Sequence, residues 1–206
     1  FHLLGNHLFT NAKALVFASF IFDGPEAKAW MDRGMRILAG QVPEQFLSDG
    51  AQFERSTMYH ALALEDMLDL CNVMEAFAGA VQPLWRATLE DWRGLIGPMR
   101  GWLAAMCHPD GEISLFNDAA FGIAPIPAEL ERYADDLGLA PPGRAEMGVM
   151  HLAQSGYMRV VQNEMVALLD VAPIGPDYLP GHGHADILSF ELSVFGQRVL
   201  VNSGTS

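Results

Sequence analysis

Two histidines one residue apart, His182 and His184 in the run Gly181-His182-Gly183-His184-Ala185-Asp186, are the densest chemical signal in this chain. If the run is extended, alternate residues project to one side, so both imidazoles face one site and Asp186 continues the row. Two imidazoles on one face are half a zinc site. They could also divide labour, one as ligand and one as base. A solvated turn built by the glycines is the plainer alternative.

A second group lies in SDGAQFERSTMYH, Ser48 to His60. Asp49-Gly50 reads as a turn and Ser56 as the N-cap of a long helix. Glu54, Arg55, Tyr59 and His60 then gather around the start of that helix. The positive end of a helix dipole favours a phenolate and disfavours an imidazolium, which would help Tyr59 act as an acid or base. The plainer reading is an amphipathic tyrosine, ring in the core and hydroxyl at the surface. Asn6 and His7, in Gly5-Asn6-His7, precede a helix and read as a capping pair. Asn117 and Asp118 close HPDGEISLFND, where they either line a groove or make turns.

The elements that must position these residues change character along the chain. FTNAKALVFASFIF places Leu15, Phe17, Ala18 and Phe22 on helical spacing. DGPEAKAWMDRGMRILAGQV opens with a turn and Pro25, and repeats at Trp30, Met31, Met35 and Leu38 before a break at PEQFLSDG. MYHALALEDMLDLCNVMEAFAGA is a long amphipathic helix, and VQPLWRATLEDWRGLIGPMRGWLAAMCHP supplies one or two more around Gly97-Pro98. After His108 the chain is turn-rich, with one short helix in PAELERYADDLG. From about Glu146 it reads as four strands, SGYMRVVQ, EMVALLDVA, ILSFELSVF and QRVLVNSG, with a hairpin turn in FGQRV. Helices followed by strands predict two domains, residues 1–140 and 141–206, rather than one mixed sheet.

Composition narrows the function classes. Half of the 206 residues are apolar and only 18% are charged, enough for a sizeable core. The net charge of −13 argues against a chain that coats nucleic acid. No apolar run reaches the roughly 20 residues that span a bilayer. Cys71 and Cys107 sit in helical patterns without metal spacing and read as buried thiols. The start at Phe1 and the stop at Val201-Asn202-Ser203-Gly204-Thr205-Ser206 read as an excerpt of a longer protein.

Four segments in order, GNHLFTNAKAL, LSDGAQFERSTMYH, HPDGEISLFND and GHGHADILSFELSVFGQRVLVNSGT, resemble the heparinase II/III-like polysaccharide lyases and their alginate-lyase relatives. The resemblance implies a helical (α/α) toroid segment followed by the first strands of an antiparallel β-sandwich. It implies β-elimination on an acidic, uronic-acid-containing polysaccharide or oligosaccharide. By the same resemblance Asn6 binds the uronate carboxylate with His7 beside it. Tyr59 protonates the leaving oxygen, and His182 is the catalytic histidine. Glu54, Arg55, His60, Asn117 and Asp118 are then expected to meet substrate, and His7, Arg55, His60 and Arg159 to make the groove locally basic.

His184 matches a structural zinc ligand of some relatives. Their next ligand is usually an aspartate, and Asn202 stands in that place here. A neutral amide is a much weaker zinc ligand than a carboxylate. The resemblance also implies a periplasmic or secreted setting and is compatible with a homodimer. Two other functions compete. One is a glycoside hydrolase with Glu54 and Asp118 as its carboxyl pair. The other is a non-catalytic lyase scaffold that binds glycan.

Overall fold

The computed structural model describes residues 4–139, 147–179 and 181–205. Five helices precede five strands: α1 (Asn6–Ile21), α2 (Pro25–Gln45), α3 (Thr57–Ala76), α4 (Pro83–Ala105), α5 (Pro127–Asp136), β1 (Gly148–Leu152), β2 (Tyr157–Gln162), β3 (Met165–Asp170), β4 (Phe190–Val194) and β5 (Gln197–Leu200). The boundary expected at 140/141, and Glu146 where strands were expected to begin, lie outside the described residues. Among the described residues no helix is long and apolar enough to cross a membrane.

The helices form successive antiparallel hairpins. Gly34 of α2 sits where a Cβ would lie 2.8 Å from the Ala12 carbonyl and 2.9 Å from a Val16 methyl. That close crossing selects the face of α1 that is buried: Leu8, Phe9, Ala12 and Val16. Of the residues expected from spacing, Leu15, Phe17 and Ala18 are only half-buried, with Phe17 packed against the core, and Phe22 is exposed.

The break expected in PEQFLSDG falls after Gln45, and of the one or two helices expected around Gly97-Pro98 there is one. α2 runs through Pro43 to Gln45, because that proline falls in its last turn. α4 is one helix through Pro98, with Trp92, Ile96, Met99, Trp102 and Leu103 buried along it. An interior proline costs about 3 kcal/mol. Burying that many large side chains contributes several times as much, at roughly 1.5–3 kcal/mol each.

The strands form one antiparallel sheet in sequence order, β1-β2-β3-β4-β5. Five strands replace the expected four because Gly148–Leu152 pairs with β2 as a hairpin of its own, Leu152 opposite Tyr157. The turn expected in FGQRV is present. Phe195 and Gly196 take φ of 52° and 77°, the paired positive values of a two-residue hairpin loop.

A buried seam joins helices to sheet. Ala51, Trp102, Met106, Phe116, Tyr157 and Leu168 form a small second core. Asp49 Oδ2 accepts the backbone N–H groups of Ser155 (2.8 Å) and Gln154 (3.1 Å). His108 Nε2 lies 2.6 Å from Glu191 Oε2, with both side chains fully buried. Cys71 and Cys107 are buried free thiols, as expected, and burial pushes both up to about 12.

Candidate active site

The site assembles where the N-terminus of α3 meets the loop between β3 and β4. Ser56 is the N-cap of α3: its hydroxyl accepts the Tyr59 backbone N–H at 3.2 Å and donates to the Asp118 carbonyl at 2.8 Å. One side chain therefore fixes Tyr59 and the Asn117-Asp118 turn together. Gly50 makes the preceding turn possible. Its φ is +90°, and a Cβ there would lie 2.3 Å from the Pro98 carbonyl.

His182 crosses to this helix start. Its ring centroid is 4.1 Å from that of Tyr59. Its Nδ1 is 2.8 Å from Asp118 Oδ2, and its Nε2 is 3.3 Å from Glu54 Oε2. Glu54 is buried. Its Oε1 accepts from Gln52 Nε2 at 3.2 Å, while Oε2 has no hydrogen-bond partner among the described residues. Two carboxylates thus bracket one imidazole.

Electrostatics here oppose the helix-dipole expectation. Tyr59 is raised above the ordinary 10.0 of a phenol by burial and by the nearby Asp118 and Glu54 charges. The phenol is the resting form. Burial would raise Asp118, but hydrogen bonds from Thr205 and His182, with both neighbouring imidazoles, outweigh it and hold the carboxyl below 3.8.

The N-terminus of α1 reaches the same place. Gly5 packs so closely that a Cβ would fall 2.8 Å from Glu54 Oε1 and 2.5 Å from a Leu179 methyl. Gln45 Nε2 holds the Gly5 carbonyl at 3.0 Å. Asn6 and His7 begin the helix beside Glu54, half-buried and exposed respectively. The cap is Gly5, without a side-chain bond, so the capping-pair reading is corrected. Among the described residues Asn6 Oδ1 accepts only its neighbour's N–H, from His7 at 2.9 Å.

Other expected contacts lie elsewhere. His60 is fully buried: its Nδ1 accepts the Gln52 N–H at 3.1 Å and its Nε2 meets the Met99 carbonyl at 2.9 Å. Burial lowers it to about 4, so it is a neutral structural histidine with no free face for a sugar. Asn117 is buried, with φ of 57°, and joins three segments. Its side chain bonds the His184 N–H, the Arg55 carbonyl and the Tyr157 hydroxyl. The Arg55 guanidinium turns away to the Pro173 carbonyl at 2.7 Å. Arg159 caps α4 through the Ala105 and Cys107 carbonyls and does not enter the groove.

Residues 181–186 are turn and irregular backbone, not strand. The even alternation expected for His182, His184 and Asp186 is therefore absent. Asp186 turns inward to the Asn117 N–H at 2.5 Å. Among the described residues no group of three or more His, Cys, Asp or Glu that could hold a metal ion is present, around His184 and Asn202 or elsewhere. The Asn202 amide caps Gly204 and faces Ser189. Sequence reasoning passed over Gly5 and Thr205; a glycine before Asn-His and a threonine ending Ser-Gly-Thr carry no local signal of a distant carboxylate.

Comparison with known proteins bears on the family and the fold. The heparinase II/III N-terminus family matches residues 1–134, and the heparinase II/III-like C-terminal family matches residues 146–206. A heparin-sulfate lyase of Bacteroides stercoris is 31% identical over 116 residues, which are 56% of this chain and 17% of that protein. A crystal structure of heparinase III superposes with a TM-score of 0.78 at 20% identity, covering 99% of this chain and 35% of that one. A heparan sulfate lyase from Pedobacter heparinus gives a TM-score of 0.67 at 20% identity, over 99% of this chain and 33% of its own. The chain thus spans about a third of the solved structures it resembles. Helical hairpins leading into an antiparallel sheet, with family matches on both sides of the junction, place this chain in the heparinase II/III family.

Proposed function

We propose that this chain carries the site of a polysaccharide lyase that cleaves a uronic-acid-containing polysaccharide by β-elimination. The observation that carries the reading is the 4.1 Å contact between Tyr59 and His182, which joins α3 to the β3–β4 loop. Such a reaction must neutralise the uronate carboxylate, remove the C5 proton and protonate the departing O4.

Each task has a candidate here. Asn6, with His7 beside it, meets the carboxylate at the positive end of α1. His182 Nε2 takes the C5 proton. The C–H electron pair becomes the C4–C5 double bond as the C4–O4 bond breaks. Tyr59, a neutral phenol, gives its proton to O4. The imidazolium then gives its proton to solvent and the phenolate takes one from solvent, and both groups are reset.

The hydrolase reading is weaker. Two glycosidase carboxyls flank the scissile bond with a sugar between them. Glu54 and Asp118 instead have the His182 imidazole between them.

The test uses the full-length protein on alginate, heparan sulfate, hyaluronan and bacterial capsule polymers. Ultraviolet absorbance reports the new double bond. Wild type raises it on at least one polymer, and Tyr59→Phe abolishes the rise. Reducing ends without the double bond would mean hydrolysis, and binding without either would mean a non-catalytic scaffold.

A further inference from the structure

Asp118 was expected to touch substrate, but its carboxylate faces the imidazole. Two separate bonds tie it to His182: Oδ2 to Nδ1 at 2.8 Å, and the Asp118 backbone N–H to the His182 carbonyl at 3.1 Å. Asp118 is itself anchored. Its carbonyl accepts from the Ser56 hydroxyl, and its carboxylate accepts from Thr205. The 202–205 segment is pressed onto this turn. Thr205 N–H donates to the Ala119 carbonyl at 2.9 Å, and a Cβ on Gly204 (φ +61°) would lie 2.3 Å from that oxygen.

An ionised carboxylate only accepts hydrogen bonds, so it selects the imidazole tautomer with its proton on Nδ1. The lone pair is then confined to Nε2. Glu54 Oε2, 3.3 Å from Nε2, makes no hydrogen bond, and Tyr59 meets the ring by its face, so among the described residues the ring's hydrogen bond is the one at Nδ1.

We propose that Asp118, steadied by Thr205, is the positioning residue of His182: it holds the proton on Nδ1 and so presents Nε2 as the nitrogen that meets the sugar. This deepens the lyase reading and rests on it for its kinetic consequence, but not for its structural one. A neutral amide at this position both donates and accepts, so it no longer excludes the Nε2–H tautomer.

The experiment is Asp118→Asn in the full-length protein, with selectively 15N-labelled histidine to read the tautomer of His182. Thr205→Val and Thr205→Ser are companion variants. Expected in Asp118→Asn are signals of the Nε2–H form and a kcat lower by roughly 100-fold or more, with KM within about threefold. Thr205→Val shifts both readouts the same way by less, and Thr205→Ser restores them. An unchanged tautomer in Asp118→Asn, or a rise in KM at constant kcat, would overturn the assignment. If the wild type cleaves no polymer, the nitrogen signals still decide whether Asp118 sets the tautomer, so failure of the lyase reading is separable. Thr205→Val leaves the carboxylate in place, which keeps the test open should Asp118→Asn fold poorly.

Discussion

Glu54 Oε2 points at His182 Nε2 from 3.3 Å away, buried and without another hydrogen-bond partner among the described residues. A carboxylate in that place stabilises the positive charge the imidazole acquires when it takes a proton. A hydrogen bond to a charged group contributes about 1.5–3 kcal/mol. Glu54→Gln keeps the shape and the Gln52 contact but loses the charge. The expected result is a fall in kcat of about 10–100-fold with little change in melting temperature. Steady-state kinetics of the full-length variant check this, and an unaltered kcat would remove Glu54 from the mechanism.

Gly5 is predicted to be intolerant of any side chain. Its φ of 63° and ψ of −139° belong to a region that is nearly glycine-only, and its missing Cβ makes room for Glu54 and Leu179. Gly5→Ala should cost about 1–3 kcal/mol from backbone strain, with displacement of Glu54 added. Thermal unfolding measures the first effect and kcat the second. An alanine variant with wild-type stability and rate would show that the close packing is not needed.

Asn117 is the joint between three segments, and its two contributions can be separated. Asn117→Ala loses bonds to His184, Arg55 and Tyr157 and keeps the strain of φ 57°. Asn117→Gly loses the same bonds but relieves the strain. Orphaned buried partners cost roughly 1–3 kcal/mol each, so both variants should lose several kcal/mol. The glycine variant should lose less, by about 1 kcal/mol. Urea midpoints compare them, and equal stability of all three proteins would deny the joint its role.

Acid stability should contain two opposing contributions. Burial lowers native His60 from 6.5 to about 4, so the unfolded chain binds the extra proton in that window. Its contribution is present above pH 6.5 and is lost as pH falls toward 4, on the order of 3 kcal/mol. Asp170 runs the other way: burial raises it from 3.8 to about 6, against a hydrogen bond from the Ala172 N–H. Its stabilisation is present below 3.8 and is lost as pH rises through 6. Urea titrations from pH 4 to 8 should therefore show stability rising more steeply with pH in Asp170→Asn and less steeply in His60→Gln. Parallel curves for the three proteins would contradict both assignments.

The sequence alone determined the order of helices then strands, the Ser56 cap, the FGQRV turn and the identity of Tyr59 and His182 as a pair to watch. The first three follow from local causes: apolar periodicity, side-chain capping geometry and the positive φ that a tight hairpin requires; the pairing of Tyr59 with His182 came from the resemblance to the lyase family. What it left open was decided by contacts between residues far apart in the chain. Gly34 chose the buried face of α1, and the packing of α4 carried it through Pro98. His60 and Tyr59 are adjacent in sequence, yet helical spacing turns one into the core and the other to the cleft. Only the tertiary structure decided which, because the Gln52 and Met99 backbone groups claim both nitrogens of His60. The same holds for Asp118 and Glu54. Their types are legible as acids, but their placement on either side of one imidazole depends on a loop about 60 residues beyond Asp118 folding back onto them, and pairwise charge geometry of that kind leaves no trace in local spacing.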